Sequence, residues 1–172
     1  MTISFRPTLM EDAPLLKEWL SHPEVLRWFP MANEREIDDS VRVWISYSKF
    51  ESGLTVLYNG VPCGMANLYI QPFVKLAHQC LFSIVVAQEY RGKGVGTALL
   101  TELIRFAKDR FNIEILHLEV YEGNPARRLY SRLGFKEFGI QKHFIRDHGQ
   151  YVGKVFMQKI LKEYNPSPIG RG

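Results

Sequence analysis

Gln88-Glu89-Tyr90-Arg91-Gly92-Lys93-Gly94-Val95-Gly96-Thr97-Ala98-Leu99-Leu100, QEYRGKGVGTALL, sets three glycines at alternate positions beside two cations. An apolar run, Cys80 to Val86, precedes it, and a stripe of Val95, Leu99, Leu103, Phe106 and Ala107 at helical spacing follows. A strand therefore leads into the loop and a helix leads out. The spacing fits neither familiar nucleotide loop. A dinucleotide fingerprint needs Gly-x-Gly-x-x-Gly, and Thr97 stands where the last glycine would fall; a P-loop needs Gly-Lys-Ser/Thr, and Lys93 sits between glycines instead. What remains is a turn that exposes consecutive N–H groups with no side chains in front of them. The helix start adds partial positive charge, so the stretch predicts a phosphate cradle. A merely tight turn would need neither three glycines nor Arg91.

The elements around the loop follow from periodicity. Ile3 to Pro7 alternates as a short strand, and Glu11 to Leu20 carries Ala13, Leu16, Trp19 and Leu20 at helical spacing. Pro23 opens a short segment, His22 to Phe29. Asn33 followed by Glu36 announces a helix bearing Ile37, Val41, Trp44 and Ile45 on one face. Asn59-Gly60 between Leu54–Tyr58 and Val61–Tyr69 predicts a hairpin. Gln71 to His78 reads as a loop, and the near-continuous apolar run Cys80–Val86 as a strand buried on both faces. Beyond the long helix, which ends near Phe111-Asn112, come a strand at Ile115–Val120 and a short helix at Pro125–Leu133 stopped by Gly134. Closing strands follow at Lys136–Ile140 and Tyr151–Ile160. The order predicts one mixed α/β domain over residues 1–163, with a tail at 164–172 that has little to pack.

Composition excludes several classes. Hydrophobic residues make up 46% of the 172 positions and charged ones 23%, as in a globular protein that buries a core without disulfides. The start, MTISFRPTLMEDA, lacks a basic region followed by an apolar run, and Leu81–Ala87 is too short to span a membrane. Only Cys63 and Cys80 occur, with no metal-like spacing, which predicts no metal site and a reducing, cytoplasmic setting. The net charge of +4 comes from dispersed cations; an anionic cofactor explains it better than nucleic acid does.

The loop resembles the Arg/Gln-x-x-Gly-x-Gly/Ala signature of the GNAT superfamily of acetyl-CoA-dependent N-acetyltransferases, with Arg91, Gly94 and Gly96 in the signature positions. A second block, LEVYEGNPARRLYSRLGF from Leu118 to Phe135, is similar to the family's L-x-V-x-x-x-N and A-x-x-L-Y-x-x-x-G-F elements, in the expected order. The resemblance implies the GNAT fold: a central, mostly antiparallel mixed sheet of six to seven strands flanked by about four helices. It implies acetyl-CoA as donor, a pyrophosphate held by Arg91, Gly92, Lys93, Gly94, Val95, Gly96 and Thr97, and a pantetheine arm along Ile84, Val85 and Val86. Asn124, Arg127 and Tyr130 complete the implied cofactor contacts. Counted back from Tyr130, Asn124 is one residue closer than in the family pattern, so the connection into the short helix is shortened.

Acetyl transfer to an amine has three needs: a proton removed from the ammonium, a stabilised carbonyl oxygen and a proton or hydrogen bond for the departing thiolate. The resemblance implies Tyr130 as the acid toward sulfur and a backbone N–H near Val86 for the oxygen. For the base, Glu119 faces away from Leu118 and Val120 and matches the base position of ribosomal-protein alanine acetyltransferases. His78 stands where histone-type members place a glutamate, and a water relay is the third route. The cysteines lack basic neighbours in sequence, so transfer is expected to be direct.

The resemblance places acceptor selection on Trp28–Met31, Gln71–His78 and Phe144–Tyr151, with Trp28, Phe29, Phe73, Phe144 and Tyr151 as candidate walls. Glu34, Glu36, Asp38 and Asp39 would suit a cationic acceptor. The opening LLKEWLSHPEVLRWF is similar to openings of aminoglycoside 6′-N-acetyltransferases and of the ribosomal-protein serine/alanine group. The expected partners are acetyl-CoA and a protein N-terminus or small-molecule amine, in a monomer or homodimer. A non-catalytic acetyl-CoA sensor is the alternative of another class.

Overall fold

A computed structural model of the chain describes residues 1–164; all of the expected tail except Tyr164 lies outside the described residues. In chain order the regular elements are β1 (Ile3–Pro7), α1 (Ala13–Ser21), α2 (Pro23–Leu26), α3 (Glu34–Ser46), β2 (Gly53–Tyr58) and β3 (Val61–Leu68). They continue with β4 (Gln79–Val86), α4 (Val95–Phe111), β5 (Ile115–Tyr121), α5 (Ala126–Arg132), β6 (Lys136–Asp147) and β7 (Gln150–Ile160). The strands form one sheet in the order β1-β2-β3-β4-β5-β7-β6, and β4–β5 is its parallel pair. This is the mixed, mostly antiparallel α/β sheet that the resemblance implies. Five α-helices are described where about four were expected, α2 being a single turn.

Local chemistry explains most boundaries. Asn59 and Gly60 take φ of 49° and 82°, the paired positive values of a tight hairpin turn. Asn33 Oδ1 accepts from Glu36 N at 3.0 Å to cap α3, and Glu36 Oε1 reaches back to Ala32 N at 3.0 Å. At the other end of the sheet the hairpin is longer than its sequence predicts. β6 runs to Asp147 through irregular pairing between Gln141 and Ile145, and the chain turns at His148-Gly149, with φ of 48° and 75°. The polar stretch QKHFIRD hides that edge strand because it buries almost nothing.

The sheet is clothed on both faces. On one, Leu99, Leu100 and Leu103 of α4 pack with Val56, Phe82, Leu118 and Val155. On the other, Leu16, Trp19, Ile37 and Trp44 of α1 and α3 pack with Met65 and Val85. Alternation along each strand sends successive side chains into opposite cores. An ion pair pins the first strand to the first helix. Arg6 donates to both oxygens of the buried Asp12 at 2.8 Å, and Asp12 also accepts from Leu9 N at 2.9 Å.

β4 is not buried on both faces as its composition predicts. Cys80, Phe82 and Val85 are buried, while Leu81, Ser83, Ile84 and Val86 are only partly covered, because part of the strand borders a cleft.

Candidate active site

The β4–β5 ladder is short. Parallel pairing runs only from Gln79–Ile115 to Leu81–His117. Past that point β4 stays with β3 as far as Val86–Gly64, and β5 stays with β7 as far as Tyr121–Lys154. The two strands part and leave a cleft of about 760 Å³ between them. Ala87 N donates to Cys63 O and Tyr69 N to Leu81 O, so the odd-numbered residues of β4 bond to β3. By the alternation of an antiparallel ladder, Ile84 and Val86 turn their N–H and C=O groups toward the gap.

On the α4 face the cleft ends at the glycine loop. Gly92 and Gly94 have φ of 74° and 79°, and a Cβ at either would meet nothing within 4 Å, so both stand beneath open space. Gly94 is also the N-cap of α4, a 17-residue helix whose first-turn N–H groups lie at the loop. Gly96 differs from both: it lies within α4, and an added Cβ there would meet Leu129 Cδ2 at 3.5 Å, an ordinary packing contact rather than open space. Arg91 and Arg132 both line this end, and Arg132 Nη2 donates to Thr97 Oγ1 at 3.1 Å. Burial lowers the Arg91 pKa from its ordinary value, an effect that Glu24 and Tyr130 nearby partly offset.

Tyr130 lies between loop and splay. It is 8% exposed, packs edge-on to Phe82 and Phe135 and still lines the cleft. Burial pushes its phenol up to about 12, partly countered by Arg91. The group therefore stays neutral and donates a hydrogen bond at any ordinary pH. Asn124 also lines the cleft. Its Oδ1 accepts from Ala126 N at 2.9 Å and closes the first turn of α5, which leaves the amide nitrogen as its free end.

The opposite face of the cleft is differently furnished. Glu119 Oε2 accepts from Lys154 Nζ at 3.1 Å, and that ammonium sits 3.8 Å from the Phe144 ring centroid. The Tyr69 hydroxyl and Ser83 Oγ are 2.6 Å apart. Tyr121 has a buried hydroxyl with no partner among the described residues, and burial pushes its pKa up to about 12. Trp28, Phe29 and Pro30 close the wall.

The acetyltransferase (GNAT) family profile matches residues 13–135, from the start of α1 to the end of the second sequence block. The chain belongs to the acetyltransferase (GNAT) family. An N-alpha-acetyltransferase of Sulfurisphaera tokodaii is 42% identical over 86 residues, covering 49% of this chain and 50% of that protein. The L-amino acid N-acetyltransferase AaaT of Escherichia coli is 26% identical over 108 residues, covering 62% and 67%. The chain thus spans about half the length of the first of these curated relatives and two thirds of the second. The yncA acetyltransferase of Salmonella typhimurium, solved with acetyl-CoA, shares the fold at a TM-score of 0.80 with 24% identity, over 95% of this chain and 96% of that one.

Ile84, Val85, Val86, Arg91, Gly92, Gly94, Val95, Gly96, Thr97, Asn124, Tyr130 and Glu119 all line one cleft. The loop fits the diphosphate of acetyl-CoA: two glycines under open space, a helix N-terminus and two guanidiniums converge there. Three expected residues stand apart. His78 precedes β4 at the end opposite the splay, roughly 25 Å along the strand from Val86, and its carbonyl accepts from Glu114 N and Ile115 N. Arg127 turns outward to an ion pair with Glu137. Lys93 stacks over the Tyr58 and Tyr90 rings at 5.5 and 5.4 Å, beside the cleft rather than in it.

Trp28, Phe29 and Phe144 line the cleft, whereas Phe73 is largely exposed and Tyr151 meets the His143 ring edge-on. The acidic start of α3 is engaged elsewhere: Glu34 and Asp38 with Lys17, Glu36 with Ala32 N, Asp39 with Arg42. Both cysteines are buried and burial raises their thiols, Cys80 to about 12, so neither is an available nucleophile. Sequence reasoning missed Arg132, Lys154, Tyr69, Ser83 and Tyr121 as lining residues. Arg132 and Tyr121 lay inside the Leu118–Phe135 block, Tyr121 on the same strand face as Glu119; Lys154, Tyr69 and Ser83 carry no local signal, because strand pairing brings them to the cleft.

Among the described residues no helix is long and apolar enough to cross a membrane, and no group of three or more His, Cys, Asp or Glu is placed to hold a metal.

Proposed function

We propose that this chain transfers the acetyl group of acetyl-CoA directly to a primary amine, of a protein N-terminus or a small molecule, in a ternary complex. The observation that carries the reading is the cleft between β4 and β5, with an anion loop and Tyr130 toward one face of the sheet and Glu119 toward the other. A donor and an acceptor can meet there from opposite sides, which is what direct transfer needs. A strongly polycationic acceptor suits the cleft poorly, since its one lining carboxylate among the described residues, Glu119, is already paired with Lys154.

The donor supplies an acetyl thioester when bound. Arg91, Arg132 and the first-turn N–H groups of α4 hold its diphosphate, and the free ladder groups of Ile84 and Val86 align its arm. The Val86 N–H, unused by the β3 ladder, would donate to the thioester carbonyl oxygen as it gains charge. Glu119 takes a proton from the acceptor ammonium and frees the amine that attacks; as the N–C bond forms and the C–S bond breaks, the second nitrogen proton leaves to water. Tyr130, neutral with its pKa near 12, stabilises the departing thiolate by donating a hydrogen bond. Full proton transfer from so weak an acid is uphill to a thiolate, whose conjugate acid has a pKa near 8.5.

The test is steady-state release of CoA thiol with a panel of amines, alongside thermal stabilisation by acetyl-CoA. Stabilisation with amine-dependent turnover supports the reading. Stabilisation without turnover on any amine would instead identify an acetyl-CoA sensor.

A further inference from the structure

We infer that the attacking nitrogen is held from two sides, by Glu119 on β5 and by the Ser83 hydroxyl on β4, with Tyr69 orienting Ser83 as a hydrogen-bond acceptor. This rests on the transferase reading above and restricts the acceptor to a nitrogen that keeps two hydrogens as it attacks.

Ser83 and Glu119 are the first opposed residues on this face past the point where the sheet opens. Leu81–His117 is the last paired rung of β4 and β5, and Ser83 and Glu119 each stand two positions beyond it. Both side chains project to the face of α1 and α3, because Phe82, Leu118 and Val120 are buried in the α4 core. Ser83 is half-buried and Glu119 exposed, and both line the cleft. On β3, Asn67 pairs directly with Ser83, and Tyr69 follows on the same face. The Tyr69 hydroxyl and Ser83 Oγ lie 2.6 Å apart. Behind them Asn67 is 1% exposed; its Oδ1 accepts from Ser52 Oγ at 3.2 Å, and its Nδ2 has no hydrogen-bond partner among the described residues. Burial raises the Tyr69 pKa, and Ser83 and Asn67 beside the hydroxyl act the other way. Asn67 thus turns its donor end to the phenol oxygen, and the phenol, more acidic than an aliphatic alcohol, gives its hydrogen to Ser83. A lone pair of Ser83 Oγ remains for a ligand.

An ammonium that has lost one proton to Glu119 keeps two N–H groups and a lone pair. The lone pair reaches the thioester carbon only when both N–H groups are held away from it. Glu119 Oε2 accepts from Lys154, which leaves Oε1 for one N–H. Ser83 Oγ takes the other from the opposite wall of the gap, so the lone pair points between them toward the donor. Ser83 takes no proton: as the N–C bond forms and the C–S bond breaks, that hydrogen leaves to water. His117, the rival acceptor on this face, is turned to Gln79, with its Nε2 2.7 Å from Gln79 Oε1.

The experiment measures CoA release at saturating acetyl-CoA with phenethylamine, L-alaninamide and a peptide bearing a free N-terminal alanine, and with the N-methyl form of each. An N-methyl amine attacks with one N–H rather than two. The expected kcat/KM of the best-used primary amine exceeds that of its N-methyl form about tenfold or more. Ser83→Cys replaces the hydroxyl by a larger, weakly accepting sulfur. In that variant the ratio falls at least about threefold, a change opposite to the one that added bulk alone would cause. Tyr69→Phe keeps the ring edge-on to Tyr47 and lowers the ratio as well, whereas Ser83→Thr preserves it. An unchanged ratio in Ser83→Cys, or an equal loss on both amines, overturns this inference alone. Turnover on no amine by the unaltered enzyme, with acetyl-CoA still raising the melting temperature, overturns the transferase reading as well.

Discussion

The Lys154 ammonium lies 3.1 Å from the Glu119 carboxylate, across a strand pair whose other edge faces the gap between β4 and β5. Glu119 is thereby held on the cleft wall in a fixed direction, although nothing beside it in sequence would fix it there.

If Glu119 is the base, Glu119→Gln lowers kcat/KM about 100-fold at neutral pH, the usual size of a general-base effect. The acetyl-CoA dissociation constant stays within about twofold, since the carboxylate lies on the opposite face from the phosphate loop. The defect shrinks as pH rises toward the pKa of the acceptor amine, because more of the amine then arrives already deprotonated. A pH profile of the two enzymes on one amine checks this; a pH-independent defect would assign Glu119 a purely structural part.

Tyr130→Phe removes one hydroxyl and keeps the ring against Phe82 and Phe135. The expected outcome is a fall in kcat of roughly 10- to 100-fold with cofactor affinity retained. Since burial holds the wild-type phenol at about 12, its ionisation produces no alkaline limb below roughly pH 10. Single-turnover kinetics with isothermal titration separate the two parameters.

Gly94→Ala introduces a side chain at φ 79°. The left-handed conformation costs about 1 kcal/mol, or roughly 2–4 °C in melting temperature for a chain of this size. Because the new methyl points into the space above the loop, acetyl-CoA affinity falls by more than the stability does. Differential scanning calorimetry with and without acetyl-CoA measures both.

Asp12 is a stability residue far from the chemistry. Burial alone would raise its carboxyl, but Arg6, the Leu9 N–H and the Thr55 hydroxyl together outweigh burial and hold it below the ordinary value. The pair's contribution is complete above the unfolded carboxyl pKa near 3.9 and is lost as pH falls through the lower folded value. Asp12→Ala leaves Arg6 without its partner and is expected to cost about 3 kcal/mol, with a flatter acid-unfolding curve below about pH 4. Urea unfolding at pH 7 and pH 3 tests both statements.

What the chain declares locally, it declares well. Asn59-Gly60 turns as its two residues demand, Asn33 caps α3, and the spacing of Leu99, Leu100 and Leu103 lays α4 on the sheet. The glycine loop was legible for the same reason: backbone conformation at φ near 75°, and the absence of side chains above it, are properties of neighbouring residues. Tertiary structure assigned the parts. It separated Gly96, where an added Cβ would meet Leu129 at ordinary contact distance, from Gly92 and Gly94, which leave open space above the loop. It took Arg127 and His78 out of the cleft and brought in Arg132, Tyr69, Tyr121 and Lys154. The physical reason is range. Turns, caps and helix faces depend on contacts within a few positions. The cleft exists because β4 and β5 stop pairing after Leu81–His117, and its acceptor wall depends on β7 pairing back onto β5 from more than thirty positions away.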